Sequence, residues 1–322
     1  MRDQRAPAAG TDTAAAAPGP DAAPARPPPA RARLRLGWLD ALIAGLCVLA
    51  VAWLAHQVNT RLDYRWDWSV VGAYLVRVDP ESGAWRANLL LIGLLTTIRL
   101  ALWAGLFAAV LGVVLGLCRI ADALFLRILA RLYVELIRSL PPLVIIFIFY
   151  FFISSQIVPL LGIDDFLRGA APATLQAVNV LMGPPQLVPA FLSAMICLAL
   201  FEAAYVAEIV RAGIQAIERG QWEAAGSLGL PRRDTMRFVI LPQAIQRVVP
   251  PLAGQFISLV KDSSIASLIS VQELAFMAAQ ISATTSRIFE VWISASAMYF
   301  GLCFGLALLF GRLERRLGRG LR

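Results

Sequence analysis

Several stretches of roughly 20 residues in this chain carry no charged side chain, the length an α-helix needs to cross a hydrocarbon core about 30 Å thick. Backbone groups in lipid have no water to bond, so such segments are confined to helices that satisfy their own N–H and C=O groups. The composition agrees: 59% of the 322 residues are hydrophobic and 16% are charged, where a soluble domain carries about a quarter. The net charge of +8 would suggest nucleic acid in a soluble chain. Here the arginines cluster at alternate ends of the apolar segments, the pattern that keeps positive loops on the cytoplasmic side. The sequence therefore describes an all-α polytopic membrane protein with no nucleic-acid partner.

The same residues exclude several chemistries. Cys47, Cys118, Cys197 and Cys303 stand singly in apolar stretches, no C-x-x-C occurs, and the lone His56 has no partner at ligand spacing. Neither a metal site nor a disulfide framework is expected from that set. No G-x-x-x-x-G-K-[ST] loop exists, and the only lysine, Lys261, follows Ser258-Leu259-Val260 rather than glycines. No cofactor is expected in this chain. Any ATP and magnesium would sit on a separate subunit. No His, Cys or Ser constellation stands at catalytic spacing, so the chain does not read as an enzyme.

Along the chain, residues 1–37 are rich in Ala, Pro and Arg with few large apolar side chains. Such a segment buries too little surface to offset its ordering entropy, and it reads as a disordered cytoplasmic tail. Its arginines (Arg2, Arg5, Arg26, Arg31, Arg33 and Arg35) outnumber its aspartates. Residues 38–58 read as an extra N-terminal transmembrane helix. Ala50-Val51-Ala52 resembles a signal-cleavage site but stands mid-way along the apolar run, so an uncleaved anchor is expected. Residues 59–88 carry Tyr64, Trp66, Trp68, Tyr74 and Trp85, the aromatics of a membrane interface, and read as an external loop. Further spans are expected at about 89–117, 138–158, 188–207, 250–270 and 290–311. An external loop with a short lateral helix separates the third and fourth spans. The moderately apolar stretch 271–289 reads as re-entrant or as an external loop. Arg119, Arg127 and Arg131, with the basic tail 313–322, place both termini inside.

Residues 221–242 form a polar, arginine-rich stretch between apolar segments. Positions 218–228 suit a short helix, and Ala224, Ala225, Gly226 and Ser227 give it a slim face that another surface can approach closely. Gly229 suits the left-handed turn that ends a helix, and Pro231 blocks continuation. Trp222 is the expected aromatic anchor. Glu223 is placed to pair with a basic group, and Arg232, Arg233 and Arg237 to fix the following helix. Composition alone also allows a solvated basic loop beside anionic headgroups. The spacing Glu223-Ala224-Ala225, three residues, Gly229, nine residues, Val239, one residue, Leu241-Pro242 resembles the EAA loop of importer-type ABC permeases. Val239 stands where that family usually has isoleucine.

Two flanking segments resemble the polar amino-acid (histidine/glutamine/glutamate) permeases. FEAAYVAEIVR at 201–211 has Ala203-Ala204-Tyr205 where that family commonly has Gly-Ala-Tyr. Tyr133-Val134-Glu135-Leu136-Ile137-Arg138 leads to Ser139-Leu140-Pro141-Pro142, where relatives often show Gly-Thr-Pro-Leu, a departure bearing on substrate range. Leu259-Val260-Lys261-Asp262-Ser263-Ser264 is similar to the family's Lys and Ser cluster. The resemblance covers about 89–315 and implies a type I ABC importer transmembrane domain. That fold has a five-helix core (89–312, with the EAA loop at about 212–247) and here one added N-terminal helix. It implies three partners: a dimer of ABC ATPase subunits bearing ATP and magnesium, a second permease subunit (identical or paralogous), and an extracytoplasmic amino-acid-binding protein. It also implies residence in the bacterial inner membrane and ATP-driven import of polar or charged amino acids. Trp222, Glu223, Ala224, Ala225, Gly229, Leu241 and Pro242 would couple to the ATPase.

Ionisable residues in membrane segments are costly unless paired or wetted, which makes them candidates for a translocation path or gate. The set is Arg99, Arg138 with the helix-breaking Pro141, Glu202, Glu208, Arg211, Lys261, Asp262, Ser263 and Ser264. Glu208 and Arg211, at i and i+3, share a helix face. The last four residues offer donors and acceptors for a zwitterion. Salt bridges that only hold the gate or the helix ends are the competing role. The alternative function is an autonomous ion-coupled secondary carrier or channel, with Glu202, Glu208 and Arg211 as a relay. Internal inverted repeats often accompany such carriers, and none is discernible in the sequence.

Overall fold

The computed structural model describes residues 37–61, 64–80 and 83–317. Residues 1–36 of the tail expected to be disordered (1–37), and the last part of the basic tail (318–322), lie outside the described residues. The chain divides into two compact units, Met1–Arg65 and Trp66–Arg322. The first contains helix α1 (Trp38–Arg61), apolar over Trp38–Trp53. Asp40 in its first turn accepts the Gly37 N–H at 2.8 Å, which satisfies a donor just ahead of the helix and complements the helix dipole.

The second unit opens with α2 (Ser69–Leu75) and a small antiparallel hairpin, β1 (Val76–Val78) with β2 (Trp85–Ala87), Arg77 opposite Arg86. Gly83, at φ +66°, turns the hairpin. Ahead of α2, the Ser69 hydroxyl and N–H donate to Asp67 and hold its carboxylate below the usual range. The strands depart from the loop expected at 59–88, because three-residue strands are too short to show an alternation.

The remaining elements are helical. They run α3 (Leu89–Ile120), α4 (Leu124–Ser139), α5 (Pro142–Ile148), α6 (Ser155–Leu160), α7 (Ile163–Arg168), α8 (Pro172–Leu181), α9 (Val188–Gln215) and α10 (Arg219–Ser227). Then follow α11 (Arg232–Asp234), α12 (Leu241–Asp262), α13 (Leu274–Thr285) and α14 (Ile288–Leu317). Among the described residues, four stretches are long and apolar enough to cross a membrane: Leu89–Ile120, Pro142–Leu160, Pro185–Gln215 and Ile288–Arg315. The bent pair Arg232–Ile269 and Leu274–Thr285, 49° apart, makes a fifth when counted as one span.

Four segments differ from, or sharpen, the sequence expectations. The third span starts at Pro142 rather than 138, because Leu140 and Pro141 are extended (ψ 150° and 136°) and a residue before proline disfavours helix. The arginine-bearing segment ahead of it is not a turn but the 16-residue α4. Ala130, Val134 and Ile137 form its buried stripe, at the spacing of one helix face. The fifth span starts near Arg232, and its helix carries Pro250 and Pro251 inside it instead of beginning there. Residues 274–285 of the uncertain stretch form α13, packed against α3 and α14.

The largest helix contact is α3 against α9, and small residues make it possible. Ala104, Ala108, Gly112 and Gly116 recur every fourth position on the buried face of α3, the small-xxx-small seam of packed membrane helices. A Cβ on Gly112 would stand 2.4 Å from the Val206 Cβ, and one on Gly116 2.8 Å from the Val210 Cβ. The seam makes α9 the central helix: 67% of its apolar window is buried, against 6% for α14. At the far end of α3 a polar cluster joins three helices. Glu273 caps α13 by accepting the Phe276 N–H (2.8 Å) and also accepts Tyr299 Oη (2.5 Å) and Thr97 Oγ1 (3.3 Å).

Gly112→Ala should lower the thermal stability of the detergent-purified protein by about 1–3 kcal/mol, the usual cost of overpacking. Gly301→Ala in α14, where an added Cβ meets nothing within 4 Å, should stay within about 0.5 kcal/mol of wild type. Equal stability of the two variants would contradict the seam.

Candidate functional site

The stretch 218–242 folds as its residues dictate. Helix α10 ends in a Schellman turn: the Leu230 N–H reaches the Ala225 carbonyl at 3.2 Å and the Gly229 N–H reaches Gly226 at 2.9 Å. Gly229 takes the left-handed conformation, φ +73°, which the turn requires and glycine adopts without a Cβ penalty. Pro231 follows, and its carbonyl accepts the Asp234 and Thr235 N–H groups at 2.9 and 3.0 Å to start the next helix. Pro242 has no N–H and its ring crowds the preceding turn. The helix responds by widening to a π turn over Thr235–Ile240, where the Leu241 N–H reaches back to Met236. Leu241 and Pro242 thereby shape the helix that backs α10.

Two faces of α10 have different surroundings. Ala225 is buried, and Trp222 is half-buried against the chain's own Val206, Val210, Ile214 and Ile240 cluster. The indole therefore anchors α10 to its own subunit. Glu223, Ala224, Gly226, Ser227 and Leu228 are exposed. Among the described residues Glu223 pairs only with Arg219 one turn back (3.0 Å), both well exposed, an arrangement that contributes little stability. Leu228, 80% exposed, is an apolar side chain on this face that the sequence reading passed over; its place just before Gly229 was the available signal.

Polar ties hold the inner face. Gln243 on α12 donates to Gln221 at 3.1 Å, Arg247 donates to the Ala216 carbonyl, and Arg232 pairs with Asp122 in the α3–α4 turn. Arg233 and Arg237 are exposed.

Beside this region the structure gathers charges that the sequence holds far apart. Glu208 pairs with Arg211, as its i, i+3 spacing suggested, and also with Arg119 from the end of α3. Arg138 from α4 lies 3.8 Å away and sits over the Tyr205 ring at 5.7 Å. One carboxylate thus joins α3, α4 and α9. Nearby, burial pushes the Tyr133 phenol up to about 12, which keeps its proton in place to donate to the Leu200 carbonyl at 2.5 Å.

The other candidates do not join this cluster. Arg99 on α3 is half-buried beside Gly183 and has no hydrogen-bond or ion-pair partner among the described residues. Pro141 stands at the break before α5, its carbonyl accepting the Ile145 N–H at 3.2 Å. Lys261 is exposed and Asp262 partly buried at the end of α12. Ser263 and Ser264 spend their hydroxyl protons on the Val260 and Lys261 carbonyls at 2.8 and 2.6 Å, and Ser263 is fully buried, so neither offers a free donor to a zwitterion. Glu202 is buried in α9 and accepts from Gln255 at 2.7 Å.

The family described as binding-protein-dependent transport system inner membrane component matches residues 101–319. The chain belongs to that family. Among its relatives, the L-cystine transport system permease protein TcyB of Bacillus subtilis (strain 168) is 35% identical over 228 residues, 70% of this chain and 86% of TcyB. The glutamate/aspartate import permease protein GltJ of Escherichia coli (strain K12) is 30% identical over 251 residues, 78% and 94% of the two chains. A chain from the crystal structure of an amino acid ABC transporter with histidines shares 33% identity at a TM-score of 0.57, covering 71% of this chain and 94% of that one. The permease thus has the type I ABC importer transmembrane fold, a membrane component with several apolar helices. The matched segment contains the α3–α9 seam, the Glu208 cluster and the whole stretch 218–242.

Glu208→Gln should lower the permease's thermal stability in detergent by about 1–3 kcal/mol, the range for losing charged hydrogen bonds. Arg131→Gln, which removes an exposed pair with Glu135, should shift it by no more than about 1 kcal/mol. Equal shifts would mean that Glu208 does not tie the three helices.

Proposed function

We propose that this permease is the membrane-spanning subunit of an ATP-driven importer for polar or charged amino acids, coupled to a separate ATPase through the EAA loop. The observation that carries this reading is the two-sidedness of α10. One face is clamped to α9 and α12, while the other presents Ala224, Ser227 and Leu228 in a slim strip beside Glu223. A helix held rigidly behind and offered in front is what a docking element requires. The names of TcyB, GltJ and the structural neighbour support the amino-acid class.

In this reading the EAA loop faces the cytoplasm and both termini lie on that side, with α1 as an added crossing. The permease works beside a second copy or a paralogue. ATP and magnesium are held by an ATPase dimer, and an extracytoplasmic binding protein delivers the substrate. Closure of the ATPases moves the α10 helices together, and the rigid contacts of α10 pass that motion to α9 and α12. The membrane is the bacterial inner membrane.

The permease should co-purify in detergent with the ABC ATPase encoded nearest to its gene, and Glu223→Lys should cut recovery of the complex at least tenfold, on the order of a lost interface hot spot. Gly229→Ala, which forces a Cβ into the left-handed region at about 1–2 kcal/mol, should abolish uptake while leaving the protein in the membrane. Failure of the wild type to bind any ATPase, together with ion-gradient-driven uptake by the permease alone, would sink the proposal in favour of a secondary carrier.

A further inference from the structure

Among the described residues, α4 is not one of the stretches apolar enough to cross a membrane, yet its surface divides into three sectors. The buried one carries Val134 and Ile137, clustered with Phe201, Ala204 and Ala207 of α9. A second carries Phe125, Ile128, Leu132 and Leu136, all exposed, Phe125 to 75%. Their spacing of i, i+3, i+7 and i+11 keeps them on one face. That face runs for about 16 Å of helix, close to one leaflet of a ~30 Å hydrocarbon core. Between these two sectors lie Arg127, Arg131 and Arg138, at i, i+4 and i+11.

The basic sector borders an open cavity of about 610 Å³. Arg127 and Arg131 line it from α4, Arg119 from the end of α3, and Arg211 from the end of α9. Leu124 and Ile128 form its apolar edge, so it opens on to the exposed apolar face. Glu208 pairs with Arg119 and Arg211, and Glu135 pairs with Arg131 at 2.7 Å. Four arginines against two carboxylates leave an excess of two positive charges. The Arg127 guanidinium has no partner among the described residues. The bias of positive residues to one side of the membrane accounts for the side on which these arginines stand. It does not account for their convergence from three helices on one cavity, where like charges repel.

We propose that this cavity binds the phosphate of an anionic phospholipid, whose acyl chains lie along Phe125, Leu132 and Leu136. The site is on the α10 side of the molecule, because Arg232 pairs with Asp122 in the turn between α3 and α4. Only the assignment of that side to the inner leaflet rests on the transport reading above. Phosphate oxygens accept short charge-assisted bonds from guanidinium groups, which present their N–H donors in a planar fork. Basic pockets between membrane helices suit anionic headgroups for this reason. A zwitterionic lipid would bring its own cation to an already positive cavity. A second copy of this chain packed on the same face would set Arg127 and Arg131 against their equivalents, a like-charge contact that costs affinity. An anionic lipid alone matches both the charge excess and the adjoining apolar face.

Native mass spectrometry of the full-length permease, titrated in detergent with phosphatidylglycerol or phosphatidylcholine, tests this. Wild type should bind phosphatidylglycerol at least tenfold more tightly than phosphatidylcholine. Arg127→Gln should weaken phosphatidylglycerol binding about fivefold, and Arg127→Gln with Arg131→Gln about thirtyfold, as expected for two arginines beside an anionic headgroup. Arg168→Gln, an exposed arginine on α7 outside the cavity, should leave it unchanged. Equal melting temperatures in phosphatidylcholine micelles would show that the variants are folded, and the exposed Arg127 makes the single variant the safer of the two. Equal affinity of wild type for the two lipids, or unchanged phosphatidylglycerol binding in the double variant, would overturn the site. Inorganic phosphate binding as tightly as the lipid would overturn the lipid assignment in favour of a plain anion site. A Phe125→Ser variant that loses a permease dimer but keeps its phosphatidylglycerol would assign the apolar face to a second copy and also overturn it. Co-purification with the ATPase reports separately on the transport reading: a complex without lipid preference overturns only the lipid site, and lipid preference without a complex overturns only the coupling.

Discussion

Close approach of α3 to α9 is the constraint on which the rest of the molecule depends. In lipid there is little hydrophobic drive between helices, so association relies on packing at short range. Gly112 and Gly116 supply that range, with no room for a Cβ against Val206 and Val210. Once the two axes are fixed, the end of α3 delivers Arg119 to Glu208, and mid-α9 presents Glu202 to the space between α3, α12 and α14. Removing two methyl groups' worth of volume from one helix face therefore positions charges many residues away.

The same helix shows two ways of holding a carboxylate in an apolar setting. Around Glu208 the chain gathers Arg119 and Arg211 closely, with Arg138 at the rim. A group so paired is tied to its helices, because withdrawing any partner leaves a partly buried charge unsatisfied. Glu202, further toward the middle of α9, has only Gln255. The contrast on one scaffold is between a carboxylate neutralised within the chain and a buried one held by a single neutral donor.

Much of this was legible in the sequence where one local signal decided the outcome. Charge-free apolar runs marked the crossings, since lipid admits few other backbones. Gly229 and Pro231 marked the end of α10, because a left-handed turn followed by proline leaves little choice. Glu208 and Arg211 were readable from their spacing on a single helix. Features set by distant residues were not readable. Arg119 looked like a positive loop residue until α3 brought it to Glu208, and Gln255 gave no hint of Glu202. Helix α4 escaped notice because its arginines hide an apolar stripe from a hydropathy scan. The start of α12 was placed at its diproline, since a proline pair reads as a boundary although the helix continues through it. Trp222 was legible as a buried aromatic anchor, but the spacing did not reveal that the apolar surface it packs on is its own subunit's.

The backing of α10 has a mechanical consequence. A loop joined to its domain only through flexible connections would absorb a push as bending. Here Trp222, the Gln221–Gln243 hydrogen bond and the Arg232–Asp122 pair attach it at several separate points, and the Schellman turn stiffens the corner between them. Under the proposed coupling, displacement applied to the short helix would therefore pass to α9 and α12 with little lost slack. Because α9 also carries Glu202, a load delivered to α10 in that way would reach the walls of the cavity that Glu202 lines, with α9 acting as a lever between the two.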